Sequence, residues 1–182
     1  MNKNENKANL VDMDSVLEQA KKYEEIEPYT MSDGADIEFY PYFAKDKIDN
    51  VIRDLQNFAS SEEEEGKSFV ELINSSDEQF IIFVQFLMVK EFTHFGEQMK
   101  DADTPSKLFP YFEALIKTGY LAELVDEAFI PEEMDKVFKQ LANISAAGAQ
   151  LQDFTMEFVE ALDRHKGKIE NMNEYRNFIK EK

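Results

Sequence analysis

The sequence predicts a mainly α-helical protein built as a single domain, with one short β-hairpin near the N-terminus. Three observations support this prediction. Apolar residues recur at helical spacing over most of the chain. One nearly unbroken apolar stretch lies in mid-chain between helix-boundary signals, and the clearest strand pattern surrounds an Asp-Gly pair. The length of 182 residues fits one domain of roughly 150 residues with modest extensions.

The composition excludes several classes of protein. The chain has no cysteine, which excludes disulfide scaffolds, thiolate zinc sites and thiol catalysis. Its formal net charge is −18, and residues 1–130 hold 12 basic and 28 acidic residues, whereas residues 131–182 hold 8 and 10. We therefore expect no direct binding to nucleic acid, because phosphate contacts need clustered Lys and Arg. The hydrophobic content of 43% is still enough to form a core.

The chain is expected to be cytoplasmic and not secreted. Its N-terminus is polar and lacks the apolar region of a signal peptide. The longest apolar stretch, Phe80 to Val89, is too short to span a bilayer, so no membrane association is expected. Three regions are predicted: a disordered lead over 1–10, a helical domain over 11–165, and a C-terminal amphipathic extension over 166–182.

The first elements are a short helix and a hairpin. Val16, Leu17 and Ala20 recur at helical spacing, and Pro28 stops that helix. The hairpin is predicted over about 29–40, with Asp33-Gly34 supplying the positive φ of a tight turn. A hairpin alone is marginal, so it should pack on helices or pair with another chain.

A buried aromatic helix is predicted over about 77–95. Ser76 and Gln79 form a capping box before it, the following residues are apolar on all sides, and Gly96 stands where a C-terminal glycine belongs. Before it, the spacing of five apolar residues predicts a strongly amphipathic helix from about Lys45: Ile48, Val51, Ile52, Leu55 and Phe58. The four glutamates 62–65 are expected to form a solvated loop.

Further helices are predicted in the second half. Because Pro110 lies deep for a regular first turn, we expect a short turn and then a helix from about Phe109 to Lys117, closed by Gly119. A short helix follows around Leu121 to Ala128, and Pro131 starts another. Amphipathic helices are also expected around 151–162 and, more weakly, around 169–178.

No catalytic, cofactor or metal site is predicted. Glu91 and His94 form a Glu-x-x-His pair, the half-motif of a ferritin-like di-iron site. The other histidine, His165, has Leu162 three residues before it, so the second half-site is missing and His94 is interpreted as structural. Nucleotide-binding glycine loops and a Gly-x-Ser-x-Gly elbow are absent from the sequence. We therefore expect no enzyme and no cofactor.

Two aromatic segments are candidates for binding a partner protein. Phe39, Tyr40, Tyr42 and Phe43 end the hairpin, either docking on the helical core or meeting another protein at an edge strand. Met172, Tyr175 and Phe178 lie in the C-terminal amphipathic stretch, which is either docked or free to bind a partner. From the hairpin edge and the 16 phenylalanines we expect a homo-oligomer or a partner-bound state.

The order of features resembles a known family. A short strand over 36–43, a helix from about Lys45, the aromatic helix ending Glu91-Phe-Thr-His-Phe-Gly96, and the segment Leu115-Ile-Lys-Thr-Gly-Tyr-Leu-Ala-Glu-Leu124 follow one another. Over roughly residues 35–145 this is similar to the tail assembly chaperones of long-tailed phages and prophages of Gram-positive bacteria.

The resemblance implies a non-enzymatic helical protein made in the bacterial host cell. It implies the tape measure protein and the tail tube protein as partners, the first bound and the second recruited. An acidic DNA mimic that inhibits a nucleic-acid-binding protein is the alternative suggested by the charge of residues 1–130. A generic acidic helical regulatory protein is the third possibility.

Overall fold

The computed structural model describes residues 11–147 and His165, and within this part the chain is mostly helical around a buried aromatic cluster. The predicted fold class is confirmed. The predicted regions 1–10 and 166–182, and the predicted helix around 151–162, lie outside the described residues. The elements in chain order are α1 (Met13–Lys21), β1 (Glu27–Thr30), β2 (Asp36–Phe39), α2 (Lys45–Ala59), α3 (Lys67–Ile73), α4 (Asp77–Phe92), α5 (Phe95–Gln98), α6 (Pro105–Thr118), α7 (Tyr120–Glu123), a π-helical turn (Leu124–Ala128) and α8 (Pro131–Ala147).

The hairpin forms where the sequence predicts it. β1 and β2 are antiparallel, with Tyr29 opposite Ile37 and Thr30 opposite Asp36. Gly34 has φ +89°, whereas no non-glycine residue among those described has positive φ, so Asp33 does not share the left-handed conformation. Ile37 and Phe39 are buried while Asp36 and Glu38 are exposed, as the alternating pattern requires.

Two helices form the centre of the core. Every one of the five apolar residues that predict α2 is buried. α4 begins with Ser76, whose hydroxyl accepts a hydrogen bond from the Gln79 amide at 3.2 Å, and it is buried on nearly all sides. These two helices pack on each other, so the amphipathic face of α2 covers one side of the apolar α4.

The predicted end of the central helix was wrong. α4 ends at Phe92, three residues before the predicted boundary, and Thr93 is extended with φ −129° and ψ 169°. The cause is a pairing with the hairpin, in which the His94 amide donates to the Glu38 carbonyl at 2.9 Å and Thr93 bridges to Phe39. Gly96 is therefore not a helix cap but part of α5.

The second half contains two further differences. α3 was not predicted, because only Phe69 and Ile73 of its seven residues are buried and they give too short a pattern. α6 runs unbroken from Pro105 through Pro110, contrary to the predicted turn. Pro110 gives up one intrahelical hydrogen bond, but buried Leu108 and Phe112 keep the helix packed on the core. Gly119 closes α6 with φ +80°, as predicted.

Two carboxylates attach the hairpin region to later helices. Glu123 at the end of α7 accepts hydrogen bonds from the Ser32 amide at 2.5 Å and the Ser32 hydroxyl at 2.7 Å. Glu133 in α8 is 7% exposed and accepts from the Phe43 amide at 2.9 Å. The hairpin is thus held on the helical core through its turn and its end. In the part of the chain that the structure describes, no helix has the length and apolarity needed to cross a membrane.

Candidate protein-binding surface

The structure places two of the predicted partner-binding residues in the core. Phe39 is 6% exposed and Phe43 is 1% exposed. The Phe43 ring stacks on Phe92 with centroids 3.6 Å apart, and Phe129 meets its edge at 5.3 Å. These two rings are unavailable to a partner in this conformation, because the end of the hairpin docks on the helices.

Tyr40 and Tyr42 remain half-buried at the surface. The Lys47 ammonium lies 4.2 Å from the Tyr40 ring centroid and the Lys22 ammonium 5.0 Å from that of Tyr42, so both rings are covered by cations of the same chain. The outer edge of the hairpin is also used, since the Tyr40 amide donates to the Phe92 carbonyl at 2.9 Å. Met172, Tyr175 and Phe178 lie outside the described residues.

The Glu-x-x-His pair is used within the fold. His94 Nδ1 accepts a hydrogen bond from the Glu38 amide at 3.1 Å, and Glu91 lies 3.6 Å from the Lys47 ammonium. Both border a cleft of about 430 Å³ whose other charged residues include Lys90, itself paired with Asp54 at 2.6 Å. Across residues 11–147 and 165, no cluster of three or more metal-ligating side chains occurs.

An apolar groove lies between α3 and α6. It has a volume of about 460 Å³, and we call it the α6 groove; its lining residues are Glu65, Gly66, Ser68, Phe69, Leu72, Ser106 and Phe109. Leu72 is 42% exposed and Phe109 37% exposed. Phe69 forms the floor, 5% exposed, with its ring 5.1 Å from that of Phe109. The groove therefore connects solvent directly to the aromatic core.

Local interactions fix the two helices that form the groove. The Glu63 carboxylate accepts hydrogen bonds from the Ser106 hydroxyl at 2.6 Å and the Ser106 amide at 2.9 Å, which caps the N-terminus of α6. These hydrogen bonds, first that of the hydroxyl and then that of the amide, hold the pKa of Glu63 below its usual value. Gly66 permits the close approach, because a Cβ there would lie 2.5 Å from Pro105 Cβ.

The apolar surface continues along α6 beyond the groove. Ile116 is 44% exposed and lies seven residues after Phe109, so the two share one stripe of the helix. On the other flank of α6, Tyr111 borders a smaller pocket of about 120 Å³ that Phe95 and Met99 also line. α6 thus presents apolar side chains to solvent on both sides of its buried face.

A separate apolar surface lies on α1. None of the residues of α1 is buried, and Met13 and Leu17 are 68% and 60% exposed. The helix is capped by Asp12, whose carboxylate accepts from the Ser15 amide at 2.7 Å. The predicted helix is therefore present, but its apolar side does not pack on the core.

The groove was not predicted from the sequence. Its walls come from α3, which was missed, and from the first turn of α6, which was predicted as a turn. Two features of the sequence could have predicted it. Thr104-Pro105 is a favoured helix start, and Phe109 is an apolar residue outside the face that Leu108 and Phe112 form.

Comparison with models of known protein families places the chain in a family. The family model named YomO matches residues 13–179, nearly the whole chain. Neither the curated proteins nor the solved structures contain a match. The match spans the hairpin, the aromatic core and both helices of the α6 groove, and the chain therefore belongs to the YomO family, a phage-associated family.

Proposed function

We propose that the protein is a non-enzymatic tail assembly chaperone that holds apolar helical segments of the tape measure protein in the α6 groove and helps to recruit tail tube subunits. One observation carries the proposal: Leu72 and Phe109 are exposed side by side over a buried aromatic floor. Membership of a phage-associated family and the resemblance of residues 35–145 to tail assembly chaperones support it.

The shape of the surface suits a helix. An amphipathic helix docks by placing residues spaced i, i+3, i+4 and i+7 into a hydrophobic groove. Phe109 and Ile116 are seven residues apart on α6, which corresponds to about 10 Å along the helix axis. A partner helix lying along this stripe could therefore place one side chain over Phe69 and a second, two turns away, over Ile116.

The acidic surface also supports the proposal that the protein is a chaperone. A protein that exposes apolar residues needs charge to stay soluble, and this chain carries −18. Glu65 stands at the groove itself, and Glu62 and Glu64 are exposed beside it. We infer that these carboxylates keep the free chaperone dispersed and favour partner helices with basic flanks.

Co-expression with a tape measure protein from the phage or prophage that carries this gene tests the proposal. We expect the chaperone to raise the soluble fraction of that protein and to co-purify with it. A Leu72→Glu/Phe109→Glu variant should lose both effects, because two charges would have to be buried against Phe69. Val16→Glu is the matched control, since Val16 is 42% exposed on α1, and it should retain both effects.

Two results would contradict the proposal. One is a tape measure protein whose solubility and recovery are the same with and without the chaperone. The other is full activity of the groove variant, which would place the binding surface elsewhere. Competition by the wild-type chain with DNA for a nucleic-acid enzyme would instead favour the DNA-mimic alternative.

A further inference from the structure

We propose that residues 166–182 of the same chain occupy the α6 groove when no partner helix is present. This inference rests on the proposed function for its biological meaning, because the segment would occupy the same groove in which a partner helix is proposed to bind. The position of His165, its distance from the groove and the charges of the segment and the groove rim support the docking.

His165 fixes where the segment begins. Its side chain is 3% exposed, its Nδ1 atom lies 2.8 Å from the Asp77 carboxylate, and its ring stacks on Phe80 with centroids 4.2 Å apart. Asp77 is the first residue of α4. Residue 166 therefore starts beside the N-terminus of α4, whatever path the preceding residues take.

The groove lies within reach of that point. Leu72 is five residues before Asp77, so their Cα atoms are at most about 19 Å apart. The 17 residues from 166 to 182 would form a helix about 25 Å long. Gly167 stands two residues after His165 and permits a sharp change of direction. The segment is thus long enough to cover both Leu72 and Phe109.

The segment has the chemistry that the groove requires. As a helix it would carry its apolar residues on one half of its surface: Ile169, Met172, Tyr175, Phe178 and Ile179. It contains five basic and three acidic residues, whereas residues 62–78, which include α3 and the loop beside the groove, contain seven acidic residues and one lysine. Opposite charges would therefore surround an apolar contact.

Two other occupants fit less well. Residues 148–164 are also amphipathic, but they contain four acidic residues and one basic residue, so the acidic rim would repel them. They also lie between two buried residues, Ser145 and His165, which restrict how far they can reach. A second copy of the chain carries −18, and two such chains repel each other unless the contact is large.

Self-occupancy would regulate the chaperone. A partner helix would have to displace the C-terminal segment. Its apparent affinity for the protein would be its intrinsic affinity multiplied by the fraction of molecules in which the groove is open. Only helices that bind the groove better than the chain's own segment would then be held, and the free protein would cover the apolar side chains of the α6 groove.

Site-specific photocrosslinking in the full chain, without any partner protein, tests the docking. Benzoylphenylalanine in place of Phe109 should crosslink within one chain to a peptide from 166–182. The matched control is the same label in place of Tyr111, which is 41% exposed on the other flank of α6, and it should not reach that peptide. A Met172→Glu/Tyr175→Glu variant should lose most of the Phe109 crosslink.

The inference is overturned if the label at Phe109 crosslinks to 148–164, to a second chain or to nothing, or if the Tyr111 label captures 166–182 equally well. A crosslink that survives Met172→Glu/Tyr175→Glu would overturn the assigned apolar face. Because no partner is present, failure of tape measure binding leaves this result unaffected. If both proposals hold, the Met172→Glu/Tyr175→Glu variant binds the tape measure protein more tightly than the wild-type chain.

Discussion

The Glu63 carboxylate holds Ser106 at two points, its hydroxyl at 2.6 Å and its amide at 2.9 Å. Forty-three residues separate the two in sequence. This pair fixes the N-terminus of α6 against the loop that precedes α3, and so sets the width of the α6 groove. Among the four adjacent glutamates, Glu63 therefore has a structural role, whereas its three neighbours are exposed.

Replacing Glu63 with Gln should lower the melting temperature. The amide keeps the shape but loses the charge that favours the Ser106 hydrogen bonds. Thermal unfolding followed by circular dichroism measures the loss, with Glu62→Gln as the control because Glu62 is exposed in the same run. Equal melting temperatures for the two variants would show that the pair contributes nothing.

The same pair predicts a pH dependence. Because the folded-state pKa of Glu63 is lowered, its contribution is complete above the ordinary glutamate pKa and is lost as the pH falls through the folded value. The difference in melting temperature between wild type and Glu63→Gln should therefore shrink on acidification. A difference that stays constant through the acid range would contradict this assignment.

Truncating Phe43 should destabilise the fold. Phe43→Ala removes a ring that stacks on Phe92, and such a cavity costs about 3 to 5 kcal/mol. Tyr42→Ala should cost clearly less, because Tyr42 is half-buried. Denaturant unfolding gives both values. Similar losses would mean that the docking of the hairpin end is not centred on Phe43.

Gly96 should tolerate no side chain. A Cβ at this position would lie 2.5 Å from the Lys90 carbonyl oxygen, and backbone cannot move aside as a flexible side chain can. We expect Gly96→Ala to cost about 1 to 3 kcal/mol, whereas Gln98→Ala in the exposed part of α5 should be nearly neutral. A Gly96→Ala variant as stable as wild type would indicate that α4 and α5 separate easily.

Two tyrosines should ionise at a higher pH than an ordinary tyrosine. The hydrogen bond to Asp33 raises the pKa of Tyr120, and burial, followed by the charge of Glu123, raises that of Tyr29. The stability that depends on the neutral phenols is present below the ordinary tyrosine pKa and is lost as the pH rises toward the folded values. Ultraviolet titration of Tyr120→Phe should lack one late-ionising phenol, whereas Tyr111→Phe should retain both.

The sequence predicted those elements whose cause is local. The spacing from Ile48 to Phe58 is enough to define α2, and the hydroxyl of Ser76 is enough to start α4. The end of α4 was missed because Thr93 and His94 leave the helix to pair with Glu38 and Phe39, more than 50 residues earlier in the sequence. No local pattern reports such a contact.

The candidate site was harder to predict for the same reason. The sequence leaves open whether Phe39 and Phe43 dock on the helical core or meet a partner, and only the packing of Phe92 and Phe129 against them decides for the core. Leu72 and Phe109 look unremarkable until α3 and α6 bring them together. A groove made by two distant helices becomes visible only when the helices are packed.

The pairing of residues 92–94 with the hairpin has a consequence for assembly. A strand with unpaired amides and carbonyls can template other chains into fibres, almost without regard to sequence. Here the Tyr40 amide and the Glu38 carbonyl are already engaged by residues 92–94, so the C-terminal part of the β2 edge offers no such template. Contacts that other proteins make at this edge would then depend on side chains, and such contacts are specific and reversible.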